Sequence, residues 1–186
     1  MMLRTLCITC FLAGLAFAGG CDHPTNATNP NGAAVKEAAE HFRLLRGPSD
    51  EMPEIVLRHL SHILSGQLDG PFKPTAVHSA QTAHGTVWVF LADGALCLAQ
   101  AGYGAVGCSA VSRVESDGVS LGVFSPPSKK FPRPHNFLLI SLVPDGIKQV
   151  EVTIGGRDRT VKVEHNLSSA SSDRPIHVKG WPRPTD

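Results

Sequence analysis

The sequence predicts an α+β fold, with two amino-terminal helices packed on a predominantly antiparallel β-sheet and a sandwich as the way that sheet would close. Three observations point there. Helical spacing of apolar residues is confined to residues 33–65. From Pro74 onward, short runs of strand formers alternate with turn residues. Asp93-Gly94 stands between two apolar runs, a strong hairpin signal because a type I′ turn needs positive φ at both central residues.

A two-residue turn at Asp93-Gly94 fixes a register. Ala92 faces Ala95, Leu91 faces Leu96, Phe90 faces Cys97, Val89 faces Leu98 and Trp88 faces Ala99. Val89, Leu91, Leu96 and Leu98 then share one face, and Trp88, Phe90, Cys97 and Ala99 the other. Both faces are apolar, so the hairpin is expected at the centre of its sheet, covered on both sides. The glycines at 102, 104 and 107 let the chain return and bring Cys108 near Cys97.

The helices come first in the chain. Val35, Ala38, Ala39, Phe42 and Leu45 predict a helix from Ala33 to Arg46, stopped by Gly47-Pro48. A second helix is predicted to be capped by Ser49 or Asp50, with Pro53 in its first turn, and to run to about Ser65 with Gly66 as its stop. Its apolar face holds Val56, Leu57, Leu60, Ile63 and Leu64. Strands are predicted over Thr75–Ala80, Thr86–Ala92, Ala95–Gln100, Val119–Phe124, Phe137–Val143, Lys148–Ile154, Thr160–Glu164 and Ile176–Lys179. For the hairpin after Ile154, a four-residue loop over 155–158 sets Val152 against Val161 and Val150 against Val163. It keeps the apolar face together better than a two-residue Gly155-Gly156 turn. Ser125 to His135, with four prolines and two lysines, reads as a long exposed loop, and Ser168 to Ser172 as a polar loop.

Residues 1–20 read as an export signal, with Arg4 in the basic region and Leu6 to Ala18 as the apolar stretch. Gly19-Gly20-Cys21 follows and is similar to the lipobox of bacterial lipoproteins, which implies a diacylated Cys21 at the mature amino terminus. Residues 21–32 then form a flexible tether, residues 33–180 a single domain and residues 181–186 a disordered tail. Processing removes only Arg4 from 17 basic residues and none of the 16 acidic ones. The mature side-chain charge is therefore zero apart from the histidines, and nucleic acid is not an expected partner. With Cys21 lipidated, Cys97 and Cys108 are left to form one disulfide in an oxidising compartment.

Phe42-Arg-Leu-Leu-Arg46, Val87-Trp-Val-Phe90, Leu96-Cys-Leu98 with Cys108 after glycines, and Leu142-Val-Pro-Asp-Gly-Ile147 before a strand ending near Asn166 form one arrangement. It resembles a class of exported actinobacterial proteins with a lipoprotein-type signal. The resemblance implies export and a shared framework and adds nothing about activity.

Chemistry-bearing candidates are few. His59 and His62 stand three apart on the second helix, opposite its apolar face, with no further ligand at metal-site spacing. Gly118-Val-Ser120-Leu-Gly122 matches the nucleophile-elbow pattern, which needs a strand before it and a helix after it. Val123-Phe-Ser-Pro-Pro127 cannot start that helix. Trp88, Phe90 and Tyr103 are read as core rather than pocket. No catalytic residue, metal or cofactor is expected. The leading reading is a non-enzymatic surface protein anchored to the membrane through its lipid. Its ligand would be a protein, a cell-wall component or a small apolar molecule. The alternative is a small secreted hydrolase or metal-dependent enzyme using Ser120 or the histidines. Cys21→Ala should release the protein into the medium or leave its signal uncleaved. Unchanged membrane association and mature mass in that variant would refute the anchor.

Overall fold

The computed structural model describes residues 30–65 and 71–181. The residues expected to form the export signal, Cys21, most of the expected tether, the expected Gly66 helix stop and the residues beyond Trp181 lie outside the described residues. The described chain is α+β and strand-rich, built from α1 (Pro30–His41), α2 (Glu54–Leu64), β1 (Thr75–Thr82), β2 (Gly85–Ala92), β3 (Ala95–Gln100), β4 (Ala105–Ala110), α3 (Val111–Asp117), β5 (Val119–Ser125), β6 (His135–Leu142), β7 (Gln149–Ile154), β8 (Arg157–Lys162), β9 (Leu167–Ser172) and β10 (Ile176–Gly180). The strands form three antiparallel sheets, ordered β1-β2-β3-β4, β5-β6-β9 and β10-β7-β8.

The Asp93-Gly94 hairpin has the expected register at every pair from Trp88↔Ala99 to Ala92↔Ala95. Asp93 and Gly94 both have positive φ, as the turn requires. β2 and β3 are the inner strands of their sheet, and each face enters a different core. Val87, Val89, Leu91, Leu96 and Leu98 belong to a first core shared with Val119, Leu121, Leu138, Ile140 and Leu142 of the second sheet. Trp88, Phe90, Cys97 and Ala99 belong to a second core with Met52 and Leu60. α1 and α3 enter the first core through Ala38 and Val114, joined by Phe42 just after α1; α2 covers the second. The two amino-terminal helices thus cover opposite faces of one sheet. β6 repeats the logic, because Leu139 on its other face joins Val150 and Val152 of β7 in a third core, closed by Ile176, Val178 and Trp181.

Several elements depart from the sequence reading. α1 stops at His41 rather than Arg46, and Phe42 turns extended (φ −127°, ψ 107°) before a 3-10 turn over Arg43–Arg46. The reason is a competing set of acceptors. Arg43 N donates to Asp145 Oδ1 (2.9 Å) and Leu44 N to Asn166 Oδ1 (3.1 Å). Those amides are satisfied outside a helix while the Phe42 ring is buried. α1 also begins at Pro30, so the tether ends before residue 32. α2 begins at Glu54, after Pro53, and takes no side-chain cap from Ser49 or Asp50. The hairpin β7–β8 uses the two-residue Gly155-Gly156 turn, with Val152 opposite Arg159 and Val150 opposite Val161. Gly155 (φ 55°) and Gly156 (φ 82°) supply the backbone this turn needs. β8 is an edge strand, so the apolar row of β7 is covered by Ile176 and Val178 of β10 on its other side.

The Phe42–Arg46 and Leu142–Ile147 segments meet Asn166 at Asp145. Its carboxylate accepts from Arg46 Nη2 (2.6 Å), Arg43 N and Asn166 Nδ2 (2.8 Å), while Asp145 N donates to His41 O (2.7 Å). Arg46 also donates to Ala39 O and Glu40 O, satisfying carbonyls at the end of α1. One carboxylate therefore ties the end of α1 to the β6–β7 turn and to the turn before β9.

Cys97 and Cys108 form a disulfide between directly opposed residues of β3 and β4, with Cα atoms 4.1 Å apart. Cys97 lies on the face of Trp88 and Phe90, as its position in the hairpin predicts. The fold already pairs these strands, so the bond acts chiefly by restricting the unfolded chain, worth about 3 kcal/mol in the chain-entropy model. Cys108→Ser should lower the melting temperature by several degrees and keep the sheet. Two free thiols in the unfolded, unreduced protein would contradict the pairing.

Candidate functional site

An open groove of about 880 Å³ lies between β1, β8 and β9. It exists because the first two sheets face each other across one core without closing. On one side β4 runs beside β5, so close that a Cβ on Gly107 would stand 2.9 Å from Ser120 O. On the other side β1 and β9 are both terminal strands of their sheets. Leu44, Ala80 and Leu167 give the groove apolar surface, and Gln81, Thr82, Thr160, Ser168 and Ser169 give it amide and hydroxyl groups.

Each edge is partly covered by a side-on contact. Asp50 N donates to Val77 O (2.7 Å), and its carboxylate accepts from Ser79 N (2.6 Å) and Ser79 Oγ (2.8 Å). Residues 77 and 79 of β1 therefore turn their backbone groups away from β2, and by the alternation of an antiparallel ladder Gln81 does so too. On β9, Val143 N donates to Asn166 O (2.8 Å), which puts even-numbered residues toward β6. Leu167 turns outward and exchanges both backbone bonds with Glu164 (2.8 and 2.9 Å). Ser169 is the next outward position. Gln81 and Ser169 both line the groove, and their outward backbone groups have no hydrogen-bond partner among the described residues.

The electrostatics are mild. Lys162 Nζ donates to Glu164 Oε1 (2.8 Å), holding that carboxyl below and that ammonium above their ordinary values. Both side chains are exposed, and such a pair adds little stability. Beside the Asp50 contact, burial pushes the pKa of His78 down, partly opposed by the Asp50 charge.

The residues singled out in the sequence do not converge here. His59 and His62 are exposed on α2. Among the described residues no group of three or more His, Cys, Asp or Glu side chains could hold a metal ion. Ser120 lies in β5, preceded by the helix α3 and followed by more strand, the reverse of an elbow. Its hydroxyl shares a hydrogen bond with that of Ser141 (2.9 Å), a fully buried residue of β6 that it satisfies. No serine or threonine hydroxyl is hydrogen-bonded to an imidazole among the described residues. Trp88 and Phe90 are core, whereas Tyr103 is exposed. The groove itself escaped the sequence reading because β9 (Leu-Ser-Ser-Ala-Ser-Ser) has no apolar alternation to mark it as a strand. The chain matches no protein-family model, no curated protein and no solved structure.

The edge contact generates a pH dependence. Hydrogen bonds from the Ser79 side chain and backbone hold the Asp50 carboxyl below its ordinary value of 3.8. A depressed carboxyl stabilises the fold above the unfolded value, and that contribution is lost as pH falls through the folded one. Asp50→Asn keeps an acceptor without the charge, so its melting temperature should fall less than wild type as the pH drops below 3.8. His78 acts in a separate window, its lowered pKa removing stability as pH falls below 6.5. Identical acid limbs in the two proteins would show that Asp50 does not hold the edge.

Proposed function

We propose that this is an exported, lipid-anchored surface protein that works as a non-enzymatic binding module, taking an extended polypeptide in the groove between β1 and β9. The observation that carries the reading is the pair of outward-facing backbone positions, Gln81 and Ser169, opening into one groove from two sheet edges. An extended chain satisfies such groups by strand addition, and side-chain pockets on alternate residues supply selectivity. The hydroxyl and amide lining favours a polypeptide over a small apolar ligand. The lipobox-like sequence ending at Cys21 supports anchoring.

Proline substitution tests this cleanly. Ser169 N faces away from β6, so Ser169→Pro removes a groove donor without removing a ladder bond; Gln81→Pro does the same on β1. Peptides selected from a displayed random library should perturb the amides of Gln81 and Ser169. Each proline variant should weaken them about fivefold, the equivalent of one net hydrogen bond of about 1 kcal/mol. Selected peptides that map elsewhere, or bind both variants as tightly as wild type, would refute the site. Turnover of ester or peptide substrates that is lost in Ser120→Ala would replace it with the hydrolase reading.

A further inference from the structure

The β5–β6 hairpin continues beyond the body of the protein as a short finger, residues 126–134, exposed along its whole length. It is a built element rather than a slack loop. Pro126, Pro127, Pro132 and Pro134 fix φ along both arms. At the tip, Ser128 N donates to Phe131 O (2.7 Å) and Phe131 N donates to Ser128 Oγ (3.1 Å), leaving Lys129 and Lys130 as the central residues of the turn. Arg133 follows on the return arm. From Gly118 to Pro144 the chain carries no acidic residue, so these three cations have no carboxylate on their own hairpin.

Aromatic rings accompany the charge. Phe124 is 53% exposed and Phe131 44% exposed, two of the four exposed large hydrophobic residues among those described. A third, Tyr103, lines a shallow groove with Phe137 at the finger's base, a groove that also holds the Asp173 carboxylate. The Phe131 ring is held against His135, centroids 4.3 Å apart, and Lys130 Nζ stands 5.3 Å from its centre. Phe124 lies against Phe137 at 5.8 Å. Rings fixed in an exposed position beside cations are poorly suited to water alone and well suited to the boundary between lipid headgroups and acyl chains.

We propose that the finger docks on an anionic lipid bilayer, with Lys129, Lys130 and Arg133 at the phosphate groups and Phe131 entering the interface. Charge complementarity identifies an anionic surface, and the exposed rings favour a membrane over a soluble polyanion, which would recruit the cations and leave the rings in water. The proposal goes beyond the peptide groove and stands whether or not Cys21 is lipidated.

The test is sedimentation of the full chain with vesicles of phosphatidylglycerol and phosphatidylcholine, against vesicles of phosphatidylcholine alone. Every variant carries the same apolar amino-terminal stretch, so the finger is read from differences between lipids and between variants. Wild type should bind the anionic vesicles about tenfold more tightly at about 0.1 M salt and lose most of that preference at about 0.5 M. Lys129→Glu with Lys130→Glu and Arg133→Glu should abolish the preference. Phe131→Ser, which keeps the charge, should weaken anionic-vesicle binding several-fold. Equal binding of wild type to both vesicles, or an unchanged preference in the triple variant, would overturn the proposal. Binding by Phe131→Ser equal to wild type, with displacement by soluble polyphosphate, would overturn it in favour of a polyanion site.

Discussion

A hairpin that is apolar on both faces cannot be satisfied by one sheet. β2 and β3 bury Val89, Leu91, Leu96 and Leu98 on one side and Trp88, Phe90, Cys97 and Ala99 on the other. Each face demands a cover, and the layer order follows from that demand. α2 lies outermost on one face. On the other come the second sheet and, through the doubly buried β6, the third. Burial of large side chains on both faces, at about 25 cal/mol per Å² of apolar surface, is the term that makes this arrangement favourable. The disulfide lies inside the same unit, joining β3 to the next strand on the face that α2 covers.

Polar groups then fix how the layers meet. Asp145 accepts from Arg46, Arg43 and Asn166 and so joins α1, the β6–β7 turn and the β8–β9 turn at one point. Asp50 plays the corresponding part at the β1 edge, through Ser79 and Val77. Both carboxylates sit in loops and accept backbone N–H groups that no strand or helix ladder would otherwise satisfy. The groove is what remains between the two guarded edges.

The strongest signals in the sequence were those in which one local rule acts alone. Asp93-Gly94 set its register because turn chemistry and the apolar pattern agree, and α2 was readable because Leu60 and Leu64 repeat at helical spacing. Where two rules compete, the structure departs from the local pattern. At Gly155-Gly156 the apolar pattern favoured a four-residue loop, but the paired glycines took the two-residue turn and Arg159 went to the edge. Phe42 continued a helical pattern that distant Asp145 and Asn166 interrupt. β4, α3 and β9 were missed for want of signal. β4 contains a glycine, α3 spans only Val111–Asp117, and β9 is mostly serine. The candidate groove depends on β9, so it was hidden with it. The finger differs: its prolines and lysines were visible, but its closed tip and held rings depend on three-dimensional contacts.

The functional account rests on this layered body being one cooperative unit that presents the groove and the finger at fixed places. Native-state hydrogen exchange on wild type and on Leu60→Ala tests that most directly. Leu60 belongs to the α2 core and makes no part of the first core. If the doubly buried hairpin couples the layers, the amides of β2, β3 and β6 exchange slowest, with one shared opening free energy. Leu60→Ala should lower that value by about 2–5 kcal/mol in all three strands. Loss of protection confined to α2, with β2, β3 and β6 unchanged, would show that the cores open independently and would contradict the account.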